Sequence, residues 1–481
     1  MRSHPDKPLH DWSAAELVSA YAQSQLSPVE ALEAVLAHIE RWEPQLAALY
    51  AFDPDAARAQ ATASEARWLR GEPIQAQGVC LDGVPCTLKE NIATQGTPVP
   101  LGTAASLLTP AMEDAPPAAR MKEAGAVLLG KTTMPDYGML SSGLSSFHPL
   151  TRNPWNLSKN PGGSSAGAAA AAAAGYGPLH VGTDIGGSLR LPAAWCGIFT
   201  LKPSLGRIPI KPPYAGRVAG PMTRTVQDAA MMMAHLSRPD WRDGTSLPAQ
   251  SIVWTDLTAG FDVKGLRLGL MMDAGWGLPV EPDVAASVRA AAYRLEQAGA
   301  VIEPIPGCST RAMIDGLDKF WRMRSWLDIS ALPPERRERV LPYIRAWVET
   351  GATLSASELF AGYSQMAALR DAAITACQPY DFVLSPVSPV VSFPAEWASP
   401  INDPLRPFEH IAFTLPFNMS EQPAASIPCG VSREGMPIGL QIVGRRHDDW
   451  GVLKLARAFE RLREPLPQWP GPPETQISSQ P

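Results

Sequence analysis

Three short segments carry residue types that could do chemistry. Thr87-Leu88-Lys89-Glu90-Asn91 ends a short apolar run with a lysine. Pro161-Gly162-Gly163-Ser164-Ser165 is a tight turn feeding an alanine-rich stretch, and Gly182-Thr183-Asp184-Ile185-Gly186-Gly187-Ser188-Leu189-Arg190 follows it. Glycines beside a serine let backbone amides approach a ligand closely and converge on an anion. A serine hydroxyl becomes a nucleophile only when a base accepts its proton. Taken singly, each segment reads first as a structural turn and Lys89 as a surface charge. Spacing alone does not bring them together.

Two other patterns compete. Residues 125–132 read GAVLLGKT, which fits the P-loop letter for letter. A P-loop needs free amides in a Gly-rich turn after a strand. Here the inner AVLL is itself a buried-strand sequence, so nucleotide binding is not expected; a run ending in Asp273 imitates Walker B only loosely. Gly163-Ser164-Ser165-Ala166-Gly167 fits the G-x-S-x-G nucleophile elbow, with Ser165 as nucleophile. The segment before it, 153–161, reads as loop rather than strand. A Ser-His-Asp hydrolase also needs a histidine, and no context singles one out among the eight.

The elements that must position these residues follow from periodicity and caps. Ser13 with Glu16, and Ser27-Pro28-Val29-Glu30, are capping boxes that open two N-terminal helices. A third, alanine-rich helix is expected at 54–70. From about residue 80 apolar runs at 84–88, 126–129, 266–270, 382–384 and 438–443 alternate with helical segments near 116–124, 166–174, 225–236, 281–298 and 448–463. This alternation predicts an α/β fold with a large mixed sheet surrounded by helices. Residues 310–377 read as helical, broken near Pro333-Pro334. The expected organisation is N-terminal helices over 1–69 packed on the core, one large domain over 70–465, and a loose tail over 466–481.

Composition narrows the function classes. The 481 residues carry 41 Lys plus Arg against 47 Asp plus Glu, a net charge of −6. There is no basic field to collect phosphates, so a nucleic-acid partner is not expected. The six cysteines include no CxxC spacing, which gives no support to zinc or redox sites and suits reduced, buried thiols. The N-terminus lacks the apolar run of a signal peptide, and no stretch reaches the length of a membrane span. A cytoplasmic protein with no membrane partner, no metal and no organic cofactor is expected.

Residues 161–207, PGGSSAGAAAAAAAGYGPLHVGTDIGGSLRLPAAWCGIFTLKPSLGR, resemble the amidase signature family of Ser-cisSer-Lys amide hydrolases. GVPCTLKENI, GKTTMPDYGM, TRNPWNLSKNPGG, GPMTRTVQDAA, PFNMSEQPAASIPCG and GMPIGLQIVG extend the resemblance over about 70–465. It implies that Ser188 is the nucleophile, Ser164 the serine after a cis bond that follows Gly163, and Lys89 the catalytic lysine. It implies an oxyanion hole of the Ile185, Gly186, Gly187 and Ser188 amides. Ala166 and Ala168 depart from the family's usual residues at non-catalytic positions. Glu421 stands where a small residue is common; a solvated loop charge is expected there before a pocket carboxylate.

With no histidine in this scheme, the base is Lys89, and it must be neutral. An ordinary lysine near pKa 10.4 is charged at pH 7, so burial must lower it. Val84, Cys86 and Leu88 suit an apolar site for it, and Glu90 would face away on a strand. Ser164 would relay the proton between Ser188 and Lys89. Arg190 is expected to pair with Asp184, Asp228 or both and brace the oxyanion turn.

The resemblance fixes the bond type and not the substrate. The variable pocket is expected to draw on 139–146, with Met139 and Leu144, and on the helical 310–345 region with Phe320, Trp321, Met323, Trp326 and Leu327. Such residues favour an apolar or aryl amide or anilide, with carbamates (urethanes) as further candidates. Nothing in the sequence marks the carboxylate clamp that a free amino-acid substrate requires. A small-molecule substrate and a monomer or homodimer are expected. The rival within the fold is the glutamine-hydrolysing subunit of a tRNA-dependent amidotransferase, from whose pattern residues 310–350 are expected to depart; outside it stand the Ser-His-Asp hydrolase and a catalytically dead scaffold.

Overall fold

The computed structural model describes residues 7–473. The strands are β1 (Leu49–Tyr50), β2 (Gln75–Ala76), β3 (Val79–Cys80), β4 (Pro85–Lys89), β5 (Val127–Thr132), β6 (Leu179–Asp184), β7 (Phe199–Lys202), β8 (Val218–Thr223), β9 (Arg267–Met271), β10 (Val301–Ile305), β11 (Phe382–Pro386), β12 (Ala424–Val431) and β13 (Pro437–Val443). All but β2 and β3 join one eleven-stranded sheet in the order β1-β5-β4-β6-β8-β7-β12-β13-β11-β9-β10. The sheet is mixed: β4 runs parallel to β5 and β6, whereas β6 pairs β8 antiparallel. The expected α/β class with a large mixed sheet is what the chain adopts.

Period-2 burial makes this sheet a two-sided core. Val84, Cys86, Leu88, Leu179 and Val181 face one large apolar cluster with the helices Val226–Leu236, Pro282–Gln297 and Asp449–Leu462. The helices Ala166–Ala174 and Arg190–Cys196 pack together in a separate cluster with Ile198 and Met222. Alanine makes this close packing possible: all nine residues of Ala166–Ala174 are buried. Gly167 marks a close approach, since a Cβ there would lie 2.3 Å from the Ala48 carbonyl oxygen.

Both predicted capping boxes are formed, at Ser13–Glu16 and Ser27–Glu30. Leu17 and Tyr21 reach the large cluster, while Leu32 and Trp42 pack with Val127, Leu129 and Ala170. Residues 125–132 form the end of a helix–strand turn and β5, so no phosphate-binding loop exists there. Lys131 is buried, with Nζ donating to the Ile92 carbonyl and to Thr94 Oγ1. The expected loose tail is anchored in its described part: the Arg224 guanidinium lies 4.3 Å over the Trp469 ring, which also meets Trp155. Residues 474–481 lie outside the described ones, as does His4. Among the described residues no helix is long and apolar enough to cross a membrane.

Candidate active site

Lys89 ends β4, and Asp184 ends the neighbouring parallel strand β6. Parallel neighbours bring their C-terminal ends to one edge, where α/β sheets place ligands. Thr87 and Lys89 point to the face opposite Leu88. Lys89 Nζ lies 2.7 Å from Ser164 Oγ, 3.1 Å from Ser165 Oγ and 3.0 Å from Thr183 Oγ1. The expected apolar surroundings are therefore corrected. Val84, Cys86 and Leu88 belong to the other face, and three hydroxyls receive the amine. Burial still holds Lys89 well below its ordinary value, and the nearby Arg217 charge pushes the same way against Asp184 and Glu90. Glu90 is turned aside, accepting from the Gly102 amide at 2.9 Å and contacting His148 Nε2.

Ser164 and Ser165 precede the helix Ala166–Ala174, and the Gly163–Ser164 peptide is cis. Gly163 is required by close approach, because a Cβ would stand 2.5 Å from the Ser142 amide nitrogen. Ser164 lines a cavity of about 430 Å³ together with Ser188. Ser165 is closed in: its hydroxyl donates to the Thr183 carbonyl at 3.1 Å and accepts from the Thr183 amide at 3.2 Å. No described histidine hydrogen-bonds Ser164, Ser165 or Ser188. His180, the histidine on β6, bonds Thr87 and the Gly177 carbonyl instead. The nucleophile-elbow arrangement is thus absent among the described residues.

The 185–188 turn departs in one respect from the four-amide expectation. The Gly187 amide donates to Asp184 Oδ1 at 2.8 Å and is committed there. The amides of Ile185, Gly186 and Ser188 have no hydrogen-bond partner among the described residues. Asp184 also accepts from the Leu189 amide at 3.0 Å and from Arg190 Nε and Nη2 at 3.0 Å each. Arg190, fully buried, donates further to the Thr414 carbonyl, Gln441 Oε1 and Asn418 Oδ1. Burial alone would raise the Asp184 carboxyl; Arg190, then Asn418, hold it well below the usual carboxylate range. Asp228 is no part of this network. It accepts from the Ala15 amide, and burial pushes it up to about 7.

The cavity wall corrects several pocket expectations. Met139 lines it but Leu144 does not; Leu144 packs in the adjacent apolar cluster. Of the five side chains singled out in 310–345, Trp321 alone lines it. Phe320 instead meets Tyr363, and Leu327 points to solvent. Glu421 is neither pocket carboxylate nor solvated charge, being held between Arg370 and Arg446. Sequence patterns do not single out Thr183 and Asn91, although both stand inside segments already marked. Asn91 Nδ2 donates to Thr183 Oγ1 at 3.1 Å. Nor do they reveal the aromatic wall of Tyr137, Tyr214, Tyr343, Trp347 and Phe408, which comes from four distant segments. Among the described residues no three His, Cys, Asp or Glu side chains are grouped as a metal ion needs.

A buried lysine on two serine hydroxyls stands beside a glycine-rich turn with free amides. A profile of the amidase family matches residues 30–453, and the chain belongs to the amidase signature family. It is 34% identical over 95% of its length to a glutamyl-tRNA(Gln) amidotransferase subunit of Chloroflexus aggregans, 97% of which is covered. It is 36% identical over 94% of its length to the corresponding subunit of Myxococcus xanthus, again over 97% of that protein. These alignments run through 310–350, the region expected to depart from that pattern. Among solved structures, a bacterial aryl acylamidase of the family superposes with a TM-score of 0.85 at 30% identity, covering 95% of this chain and 97% of the other.

Proposed function

We propose that this chain hydrolyses the C–N bond of a small carboxamide with an apolar or aryl portion, through an acyl-enzyme on Ser188. The contact between Lys89 Nζ and Ser164 Oγ, at the edge of an aromatic-walled cavity that Ser188 also lines, carries the reading. Neutral Lys89 takes the Ser164 proton as Ser164 takes that of Ser188. Ser188 Oγ attacks the carbonyl carbon, and the Ile185, Gly186 and Ser188 amides receive the oxyanion. The relay then returns the proton to the leaving nitrogen. Water, deprotonated by the same relay, cleaves the ester and frees Ser188. Gly187 orients the turn through Asp184 rather than receiving the oxyanion. A urethane carbonyl suits the same attack.

A second reading is hydrolysis of glutamine, with this chain as the glutamine-hydrolysing component of a tRNA-dependent amidotransferase. The similarity to the Chloroflexus and Myxococcus proteins favours it. It brings partner subunits with it. The two readings separate in one experiment with the chain alone. Hydrolysis of an aryl anilide is measured against hydrolysis of glutamine, with Ser188→Ala as control and intact mass after a sulfonyl fluoride. Anilide turnover and a Ser188 adduct, both lost in Ser188→Ala, are expected. Glutamine turnover that appears only with partner subunits, and none on anilides, replaces the first reading with the second.

A further inference from the structure

The outer cavity holds one more positive charge than its carboxylates balance. Arg217 immediately precedes Val218, which pairs with Asp184 across β8 and β6. Arg217 therefore lies one residue beyond the last β6–β8 pair, at the end of the sheet where Ile185 leads on to Ser188. Its guanidinium is half-buried and lines the cavity. Its protein hydrogen bond is Nη1 to the Pro212 carbonyl, 2.9 Å. No described carboxylate pairs with it, whereas the buried Arg190 and Arg207 are each paired, with Asp184 and Asp449. Arg324, on the helix Arg311–Ser330, also lines the cavity, 4.2 Å over the Tyr214 ring and equally without a carboxylate.

The neighbouring charges do not cancel this pair. Lys211 at the rim is engaged by Glu113. Asp184 is committed to Arg190, and Glu90 to His148. Asp328, one turn beyond Arg324 on the same exposed face, is the remaining carboxylate of the wall and offsets one charge of the two. A partly desolvated guanidinium beside a second one is costly until an anion arrives, and the planar fork matches a carboxylate. The Trp321 indole Nε1 is buried without a partner and its ring packs near Gly186, adding a neutral donor to the same wall.

We propose that Arg217 and Arg324 form an anion subsite, and that the substrate is an amide bearing a carboxylate remote from the scissile bond. This rests on the amide-hydrolase reading above. The apolar linker between the two groups lies against the aromatic wall, and the carboxylate answers the charge that the fold leaves open.

The test compares p-nitroanilides of succinic, glutaric and adipic acid with those of butyric, valeric and hexanoic acid, the neutral partners of equal chain length. The ratio of kcat/KM within each pair is read for wild type, Arg217→Met and Arg324→Gln. Wild type is expected to favour the carboxylated member at least tenfold at one chain length. The ratio should fall towards one in Arg217→Met and partway in the surface variant Arg324→Gln. A wild-type ratio near one at every length, with neutral anilides still cleaved, overturns the subsite and leaves the hydrolase reading standing. Absence of turnover and of a Ser188 adduct with every anilide overturns both.

Discussion

At the residue scale the proposed relay turns on the charge state of Lys89. In that relay its amine accepts the Ser164 proton only when neutral, so the form expected to be active is the deprotonated one. Activity should therefore fall as pH drops through the Lys89 pKa. Burial first, and Arg217 second, place that fall well below the range of an ordinary lysine. Lys89→Ala is expected to lower kcat by about 10²–10⁴, the usual contribution of a positioned base. Lys89→Arg should do no better, because a guanidinium stays protonated. Arg217→Met removes the positive neighbour, and the acid limb of kcat/KM should move to higher pH. A pH–rate profile on a neutral anilide reads both effects, and an acid limb that stays put in Arg217→Met contradicts this account. Lys89, Ser164 and Ser188 are proposed from the sequence because each sits inside a dense motif that carries the family resemblance. Arg217 and Arg324 are not. Neither belongs to a motif, and their proximity is created by β8 pairing with β6 and by a helix some hundred positions further on.

At the element scale the 185–188 turn is only as rigid as the strand that ends in Asp184. Arg190 joins that strand to Thr414, Asn418 and Gln441, so one guanidinium ties the turn to β13 and to the helix Pro416–Met419. Removing one partner of a buried pair leaves an uncompensated charge, which costs about 3–5 kcal/mol. Arg190→Met should lower unfolding stability by roughly that amount in urea titration and reduce kcat more than it changes KM. A loss below about 1 kcal/mol would show that the remaining donors to Asp184 suffice. The pairing was legible from charge and position; the choice of Asp184 over Asp228 was not, since it depends on which strand edge each reaches. The same limit governed the strands. Those rich in apolar residues, such as β4, β5 and β13, stand out in the sequence. β8 reads VAGPMT, with Gly and Pro that disfavour strands, yet it is central. Its Gly220 is dictated by packing, since a Cβ would lie 2.2 Å from the Leu201 carbonyl oxygen. Tertiary closeness, invisible in local propensity, overrides that preference.

At the scale of the whole molecule, burying so many polar groups makes stability depend on pH. Burial pushes His38, His180 and His235 down to about 4 and His410 to about 3. In the unfolded chain each titrates near 6.5. Between those values the unfolded state binds more protons than the folded one, so stability rises with pH across that window and is lost on acidification. Asp228 works in the opposite sense. Burial raises it to about 7, so from the ordinary carboxylate range up to that value the folded state holds the extra proton. Four depressed histidines outweigh this carboxyl, and the net change on acidification is a loss. The melting temperature should therefore fall between pH 6.5 and pH 4.5. Asp228→Asn removes the opposing contribution and should steepen the fall, whereas His180→Asn removes one contributor and should flatten it. Calorimetric scans of the three proteins across this range read the slopes directly. A melting temperature that holds level or climbs from pH 6.5 to pH 4.5 would mean that the histidines gain protons inside the fold, and that hydroxyl and carbonyl partners rather than burial govern these sites.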